Sequence, residues 1–281
     1  MSSIISTCEL VKNDYERKSL LNFIFKKLIN EFIYFKSESN KMLSGQIKIE
    51  SSSLNATIGK AFSNLRRQLV ANISNLCKQY AADFRDSFND IYNKLNEMIN
   101  SPGHDINQLE KSILIQSLVL LSNEFNSFDL QSKFINQYVQ PIQEFFALHQ
   151  SKLSSENMQA FIDFIGLNSN DLDNETTTTT KNQMLSEQLT NRKQIFYYVS
   201  ILTCVLKSVQ APAKCDPTSN AEEYARLKEG NFIDPVRHTV RNPAYDSFKS
   251  IFGYLIEMFK CFNCLHVPKL RDRLRVLYLE M

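Results

Sequence analysis

Residues 56–82 read "ATIGKAFSNLRRQLVANISNLCKQYAA", and this stretch decides the fold class. Apolar residues recur every three or four positions, which is the period of an amphipathic helix. Ordinary surface helices mix charge signs, because acidic and basic residues one turn apart stabilise the helix. Here no Asp or Glu occurs from Ser51 to Ala82. An anionic group from elsewhere is therefore expected against this helix. The apolar stripe comprises Ile58, Phe62, Leu65, Leu69, Ile73 and Leu76.

The positive charge is local. The chain has 281 residues and a net charge of +2, while residues 51–82 alone carry four Lys or Arg. This pattern suits a local anionic partner better than general adhesion. Arg66 and Arg67 are adjacent, and a guanidinium fork binds phosphate bidentately. Lys60 lies two turns before Arg67 on a similar azimuth. Neutral polar residues surround the pair and can hydrogen-bond sugar or base edges: Asn64, Gln68, Ser74 and Asn75. The alternative is an ordinary solvated helix face.

Helical periodicity continues on both sides of this stretch. The chain has only six Gly and seven Pro, so it has few residues for the many turns that β-sandwiches and β-barrels need. "YERKSLLNFIFKKLINEFIYF" and "FRDSFNDIYNKLNEMI" predict the neighbouring helices. Several helix pairs span about 40–50 residues, which is the period of HEAT-type repeats. We therefore predict an all-α chain, an α-solenoid of HEAT-like antiparallel helix pairs, with a compact bundle as the alternative. Further helices are predicted at 106–124, 127–149, 154–166, 186–210, 243–263 and 267–281.

The predicted domain organisation is one continuous HEAT-repeat solenoid over residues 1–281. Irregular or disordered loops are expected at about 37–53, 168–183 and 210–220. The second of these contains five consecutive Thr residues and has no apolar face. The third, "QAPAKCDPTSN", contains two Pro residues.

Catalytic and metal motifs are missing from the sequence. The four His residues form no nucleophile motif, and there is no phosphate loop, GxGxxG or HExxH pattern. We expect no catalytic residue, no cofactor and no enzyme activity. "CFNCLH" gives Cys261, Cys264 and His266 a zinc-like spacing, but a second ligand pair is missing, so buried thiols are favoured over metal. The six Cys form no disulfide framework, which indicates a reducing compartment. The sequence contains neither a signal-peptide pattern nor an apolar run long enough to span a membrane.

A second basic site is predicted further along the chain. "EQLTNRKQIFYY" places Arg192 and Lys193 at the expected start of a helix. Backbone N–H groups at a helix start favour phosphate.

Eight segments follow one another in a recognisable order along the chain: "LRRQLVANISNLCKQY", "SFNDIYNKLNEMI", "NQLEKSILIQSLVLLSNEF", "NQYVQPIQEFF", "QAFIDFIGLNS", "YYVSILTCVLK", "LKEGNFIDPVRHTVRNP" and "YLIEMFKCFNCLHVPKL". Their order resembles the central HEAT repeats of the exportin-5 family of karyopherins. The resemblance implies a nuclear export receptor that holds hairpin precursors of microRNA together with Ran-GTP. Such a receptor recognises A-form shape through phosphates, and salt weakens the binding. It shuttles between nucleus and cytoplasm as a monomer, contacts nuclear pore proteins and needs no membrane.

The resemblance also implies which residues bind the RNA end. The family receives a two-nucleotide 3′ overhang in a basic tunnel, and three tunnel positions match this chain. The second Arg of the "RR" pair matches Arg67, and a polar pair before "EK" matches Asn107 and Gln108. Asn107 replaces a hydroxyl residue of the family, and one residue is inserted in "SPGHD". An Arg after an Asn matches Arg192, although an ungapped alignment would place Asn191 there.

A complete exportin is several times longer than this chain. We therefore expect a fragment, a partial gene model or a product that has lost export competence, with the main Ran-GTP site outside the chain. The competing interpretation is a helical-repeat scaffold that binds protein rather than RNA, and a helical enzyme domain is a third. The salt dependence of RNA binding separates the first two.

Overall fold

The computed structural model describes residues 11–43, 52–100, 106–125, 127–166, 178–210 and 242–264. In these ranges the chain is helical and contains no strand, which confirms the all-α prediction. None of the helices there is long and apolar enough to cross a membrane. The α-helices are α1 (Asp14–Leu43), α2 (Ser52–Gln79), α3 (Phe88–Asn100), α4 (Gln108–Ser122), α5 (Phe128–Leu148), α6 (Met158–Ile165), α7 (Thr178–Ser208) and α8 (Tyr245–Cys264).

These helices fall into two compact units, Met1–Phe125 and Asn126–Met281. The first contains α1 to α4, and the second contains α5 to α8.

In the first unit, α1 and α2 form an antiparallel pair. The start of α1 contacts the chain just beyond α2, where Arg17 Nη2 lies 2.9 Å from Asp83 Oδ1. Further along α1, the ring of Phe35 lies 5.8 Å from that of Phe62 near the other end of α2. The interface is apolar, because residues spaced three and four apart on each helix are buried there. They are Leu21, Phe25, Ile29 and Phe32 on α1 and Val70, Ile73, Leu76 and Cys77 on α2.

The next pair, α3 and α4, is also antiparallel and stacks on the first. Phe88 at the start of α3 and Phe125 just after α4 have ring centroids 4.9 Å apart. Two ion pairs join α2 and the residues just after it to α4 and the residues just after it. They occur in the same order along both segments: Arg66–Glu110 and Arg85–Glu124. The second helices of the two pairs therefore run parallel, as in HEAT-type stacking.

The second unit repeats this arrangement. Gln131 Nε2 donates to Gln210 O over 2.8 Å, and the rings of Phe145 and Tyr198 are 5.1 Å apart, so α5 and α7 are antiparallel. Ser132 Oγ bonds Pro243 O and Gln143 Nε2 bonds Ser250 Oγ, each over 2.8 Å, so α5 and α8 are parallel. Each unit thus shows the repeat pattern predicted from sequence.

The structure differs from the sequence prediction at two loops. The loop expected at 37–53 is helical at its ends, because α1 continues to Leu43 and α2 begins at Ser52. α7 begins at Thr178, although residues 168–183 were expected to be irregular and the helix was expected to begin at 186. Propagating a helix costs little once it has formed, so a polar tract can extend one that packs further along. The remaining parts of the predicted loops, residues 44–51, 168–177 and 211–220, lie outside the described residues, as does the helix predicted at 267–281.

The buried stripe of α2 is also rotated from the predicted one. Leu65 is 41% exposed, whereas Ser74, expected on the polar face, is 9% exposed. α2 packs against α1 on one side and α4 on the other, and a helix with two neighbours buries a face centred between them. That face carries Val70, Ile73 and Cys77.

Gly166 ends α6 in the left-handed conformation, with φ 65°. A Cβ atom there would lie 2.5 Å from Gln188 Oε1 and 2.7 Å from Gln188 Cβ. We expect Gly166→Ala to lower the free energy of unfolding by at least about 1–2 kcal/mol, from backbone strain alone. Urea denaturation measures this. Gly253→Ala is the control, because the new Cβ would meet nothing within 4 Å. Since Gly253 lies inside α8, this substitution should raise the free energy of unfolding by about 1 kcal/mol. Equal effects of the two substitutions on unfolding would contradict the left-handed, closely packed position of Gly166.

Glu257 on α8 joins that helix to the turn before α6. Its carboxylate accepts from Lys260 Nζ, from Ser155 Oγ and from Ser155 N. These bonds lower the pKa of Glu257 from 4.5 to about 2, with the Lys260 hydrogen bond contributing most. Folding therefore favours the ionised carboxylate, whose stabilisation is present above about pH 4.5 and is lost as the pH falls towards 2.

We accordingly expect Glu257→Gln to reduce stability at pH 7 and to flatten the loss of stability between pH 4.5 and 2. Urea denaturation of both proteins across this pH range provides the test. A wild-type and a variant curve separated by a constant amount at every pH would show that Glu257 does not contribute in its charged form.

Candidate nucleic-acid interface

Three exposed cations form a row on α2. Lys60, Arg67 and Lys78 are separated by seven and eleven residues, which are close to two and three whole helical turns. At 1.5 Å rise per residue, the steps along the helix axis are roughly 10 Å and 16 Å. Lys78 was not among the predicted site residues, although its spacing from Arg67 was a usable sequence signal. We call Lys60, Arg67 and Lys78 the cation row.

Arg66 has a different environment from its neighbour. It lies one turn before Val70 on the buried stripe, and its side chain is 13% exposed. Its Nη2 atom is 2.5 Å from Glu110 Oε2, and its Cζ lies 5.5 Å from the centre of the Phe32 ring. Glu110, whose side chain is 5% exposed, is therefore the anionic group that the acid-free helix required. The prediction that Arg66 binds phosphate is corrected accordingly, because a carboxylate of the next helix pair already holds its guanidinium.

Glu110 also organises the start of α4. Its Oε2 atom accepts from the Asn107 backbone N–H over 3.1 Å, while Asn107 Oδ1 accepts from the Glu110 N–H over 2.8 Å. This reciprocal arrangement is a capping box. Glu110 was not among the predicted site residues, although an Asn three residues before a Glu, ahead of an apolar run, is the usual signature of such a cap.

The Arg66–Glu110 bond places Arg67 beside the start of α4. Asn107 is exposed there and Gln108 is partly exposed. Asn107 uses its oxygen for the cap, so its amide N–H₂ group is a donor that the cap does not use. The N-terminus of α4 adds the positive end of a helix dipole. Arg67 directly follows Arg66 in α2, and Asn107 and Gln108 begin α4, so the Arg66–Glu110 bond brings the segments that carry these three predicted site residues to one edge of the α2–α4 contact. Lys60 lies two turns earlier in α2.

Arg192 lies in the second unit and well inside α7. The predicted helix start at Arg192 is therefore wrong, and no free backbone N–H groups lie beside it, because N–H groups in a helix interior bond to carbonyls of the preceding turn. Arg192 is partly exposed, while its buried Nε has no hydrogen-bond partner among the described residues. Asn191, the alternative at this position, donates through Nδ2 to Phe164 O over 3.1 Å. Lys193 is exposed.

The cysteine segment near the C-terminus offers no metal geometry to evaluate. Cys261 is buried and not in a disulfide, while the Cys264 side chain and His266 lie outside the described residues. Across the part of the chain that the structure describes, no group of three or more His, Cys, Asp or Glu residues could hold a metal.

Comparison with known sequences shows which protein family the chain belongs to. The sequence profile of the exportin-5 family matches residues 14–277, which is most of the chain. The chain belongs to the exportin-5 family. It is 22% identical to human Exportin-5 over 211 residues, covering 75% of this chain and 16% of that protein. It is 20% identical to mouse Exportin-5 over 219 residues, covering 76% of this chain and 17% of the relative. This exportin-5-like chain thus spans about a sixth of the length of the curated relatives it matches.

We expect the two adjacent arginines to contribute very differently to stability. Arg66→Ala would leave the buried Glu110 carboxylate without its cation, which costs roughly 3–5 kcal/mol in the free energy of unfolding. Arg67→Ala removes an exposed side chain and should change stability by less than about 0.5 kcal/mol. Thermal and urea denaturation of the two variants provide the comparison. Similar losses from both substitutions would refute the division between a structural and an exposed arginine.

Proposed function

We propose that this chain is an RNA-binding section of a nuclear export receptor and that it binds hairpin RNA with a 3′ overhang. The observation that carries the proposal is the exposed cation row, Lys60, Arg67 and Lys78, whose middle residue follows the arginine bound at the start of α4. Membership of the exportin-5 family supports the choice of RNA as the anionic partner.

The cation row supplies affinity for the RNA backbone. Each Lys or Arg that neutralises a phosphate releases counterions, so the binding weakens as salt rises. The three cations lie on one azimuth with neutral Asn64, Ala71 and Asn75 between them, so a strand can follow the helix without meeting an acid on it. Contacts of this kind carry no base information. They suit A-form RNA, whose deep groove side chains cannot read.

The edge formed by Arg67, Asn107 and Gln108 supplies recognition of the RNA end. The Arg67 fork binds a phosphate of the overhang bidentately. The amide groups of Asn107 and Gln108 donate to sugar or phosphate oxygens, and the start of α4 favours the same negative charge. Arg192 of the second unit is a further phosphate contact in this proposal.

The remaining parts of the function belong to the complete receptor. Ran-GTP and nuclear pore proteins bind a full-length protein that shuttles between nucleus and cytoplasm as a monomer. The main Ran-GTP site lies outside this chain, which covers 16% of its human relative. The chain acts by binding alone, with neither a cofactor nor a catalytic step.

Arg67→Ala tests the backbone contact. We expect it to weaken binding of an overhung hairpin by about 1–3 kcal/mol, the range for a charge-assisted hydrogen bond. The slope of log K against log salt should fall by about one, because one phosphate contact is lost. Fluorescence anisotropy at several salt concentrations measures both. The control is Lys27→Ala, which removes another exposed cation, this one from α1, where Lys27 pairs with Glu31.

Comparing hairpins with and without the overhang tests the end recognition. The overhung hairpin should bind more tightly at moderate salt, because only it offers the phosphates of unpaired nucleotides to Arg67 and Asn107. Equal binding of blunt and overhung hairpins would remove the end-recognition assignment. Absence of salt-dependent RNA binding would instead favour the protein-binding scaffold.

A further inference from the structure

We infer that Arg66 and Glu110 form a positioning pair, which holds the two parts of the overhang site in register without touching the RNA. The inference rests on the proposed function, since it concerns the edge formed by Arg67, Asn107 and Gln108. It assigns Arg66 a role that differs from that of the arginine beside it.

The geometry places one carboxylate oxygen at the centre of this arrangement. Glu110 Oε2 accepts from Arg66 Nη2 over 2.5 Å and from the Asn107 backbone N–H over 3.1 Å. The Arg66 bonded to this carboxylate is followed directly by Arg67 in α2. The Asn107 bonded to it is followed directly by Gln108, the first residue of α4. A single carboxylate thus fixes the spacing between the two elements that would bind the RNA end.

The pair is well shielded, which makes its geometry specific. The side chains of Arg66 and Glu110 are 13% and 5% exposed, so water competes little for either charge. Phe32 of α1 lies against the guanidinium and limits its movement. Arg66 therefore links α1, α2 and α4 at one point, and a slide of α4 along α2 would break the bond.

The pair also keeps its own charge out of RNA binding. Arg66 and Glu110 cancel each other, so the cations available to phosphate on α2 are those of the cation row. A positioning role therefore predicts that removing the pair changes which hairpin end is preferred and leaves the salt dependence unchanged. A direct phosphate contact by Arg66 predicts a lower salt slope instead.

The experiment replaces both charges at once, as Arg66→Met with Glu110→Gln. This avoids an unpaired buried charge, and Gln can still accept the Asn107 N–H as the third residue of the cap. Anisotropy then measures the ratio of affinities for overhung and blunt hairpins and the salt slope of each. We expect the ratio to fall by about tenfold, the lower end of what supporting residues contribute at metal sites. The salt slope should match that of the wild type.

The control is Arg85→Met with Glu124→Gln, which removes a more exposed arginine–glutamate pair just beyond the other end of α4. It should leave the ratio unchanged. A folded Arg66→Met/Glu110→Gln protein with the wild-type ratio would overturn the inference, as would a salt slope reduced by about one, which would make Arg66 a direct contact.

Should the double variant not fold, Arg66→Lys decides the matter, because it keeps the charge but loses the planar fork. A reduced ratio with an unchanged slope supports positioning, and an unchanged ratio contradicts it. The proposed function fails separately, when the wild-type chain itself binds overhung and blunt hairpins equally or binds neither.

Discussion

The carboxylate of Glu110 is the group on which the arrangement of the first unit depends. It lies almost fully buried between two helix pairs, where an unpaired charge would be costly. Arg66 from one pair and the backbone of Asn107 from the other satisfy it together. The same few atoms thus join consecutive repeats, cap α4 and determine which arginine of the basic helix remains exposed.

A helix without acids has a straightforward explanation in a stacked repeat. Its charge partner comes from the next helix pair rather than from the next turn, and only one of its cations needs such a partner. Adjacent residues on a helix point about 100° apart, so Arg66 and Arg67 fall on different faces. One face packs against α1 and α4, and the other carries the cation row. The pattern that attracted attention in the sequence therefore combines a structural residue with surface ones.

The fold could be predicted from the sequence because each helix carries its own periodic signal. The helices predicted at 106–124 and 127–149 agree with α4 and α5 to within two residues at each end. The site could be predicted only in part. Spacing identified Lys60 and Arg67 as residues of one face, but it could not show which of two adjacent arginines packs inward, because that depends on α4. The capping signal at Asn107 and Glu110 was present and was missed. The interior position of Arg192 was not foreseen, because the Thr tract gave no helical pattern.

The division of labour between the two arginines can be observed directly by NMR of arginine-labelled protein during titration with an overhung hairpin RNA. The account predicts that the Nε–H signal of Arg67 shifts as RNA is added, while that of Arg66 stays in place and exchanges slowly with water throughout. A shift of the Arg66 signal that follows RNA occupancy, with Arg67 unaffected, would contradict it.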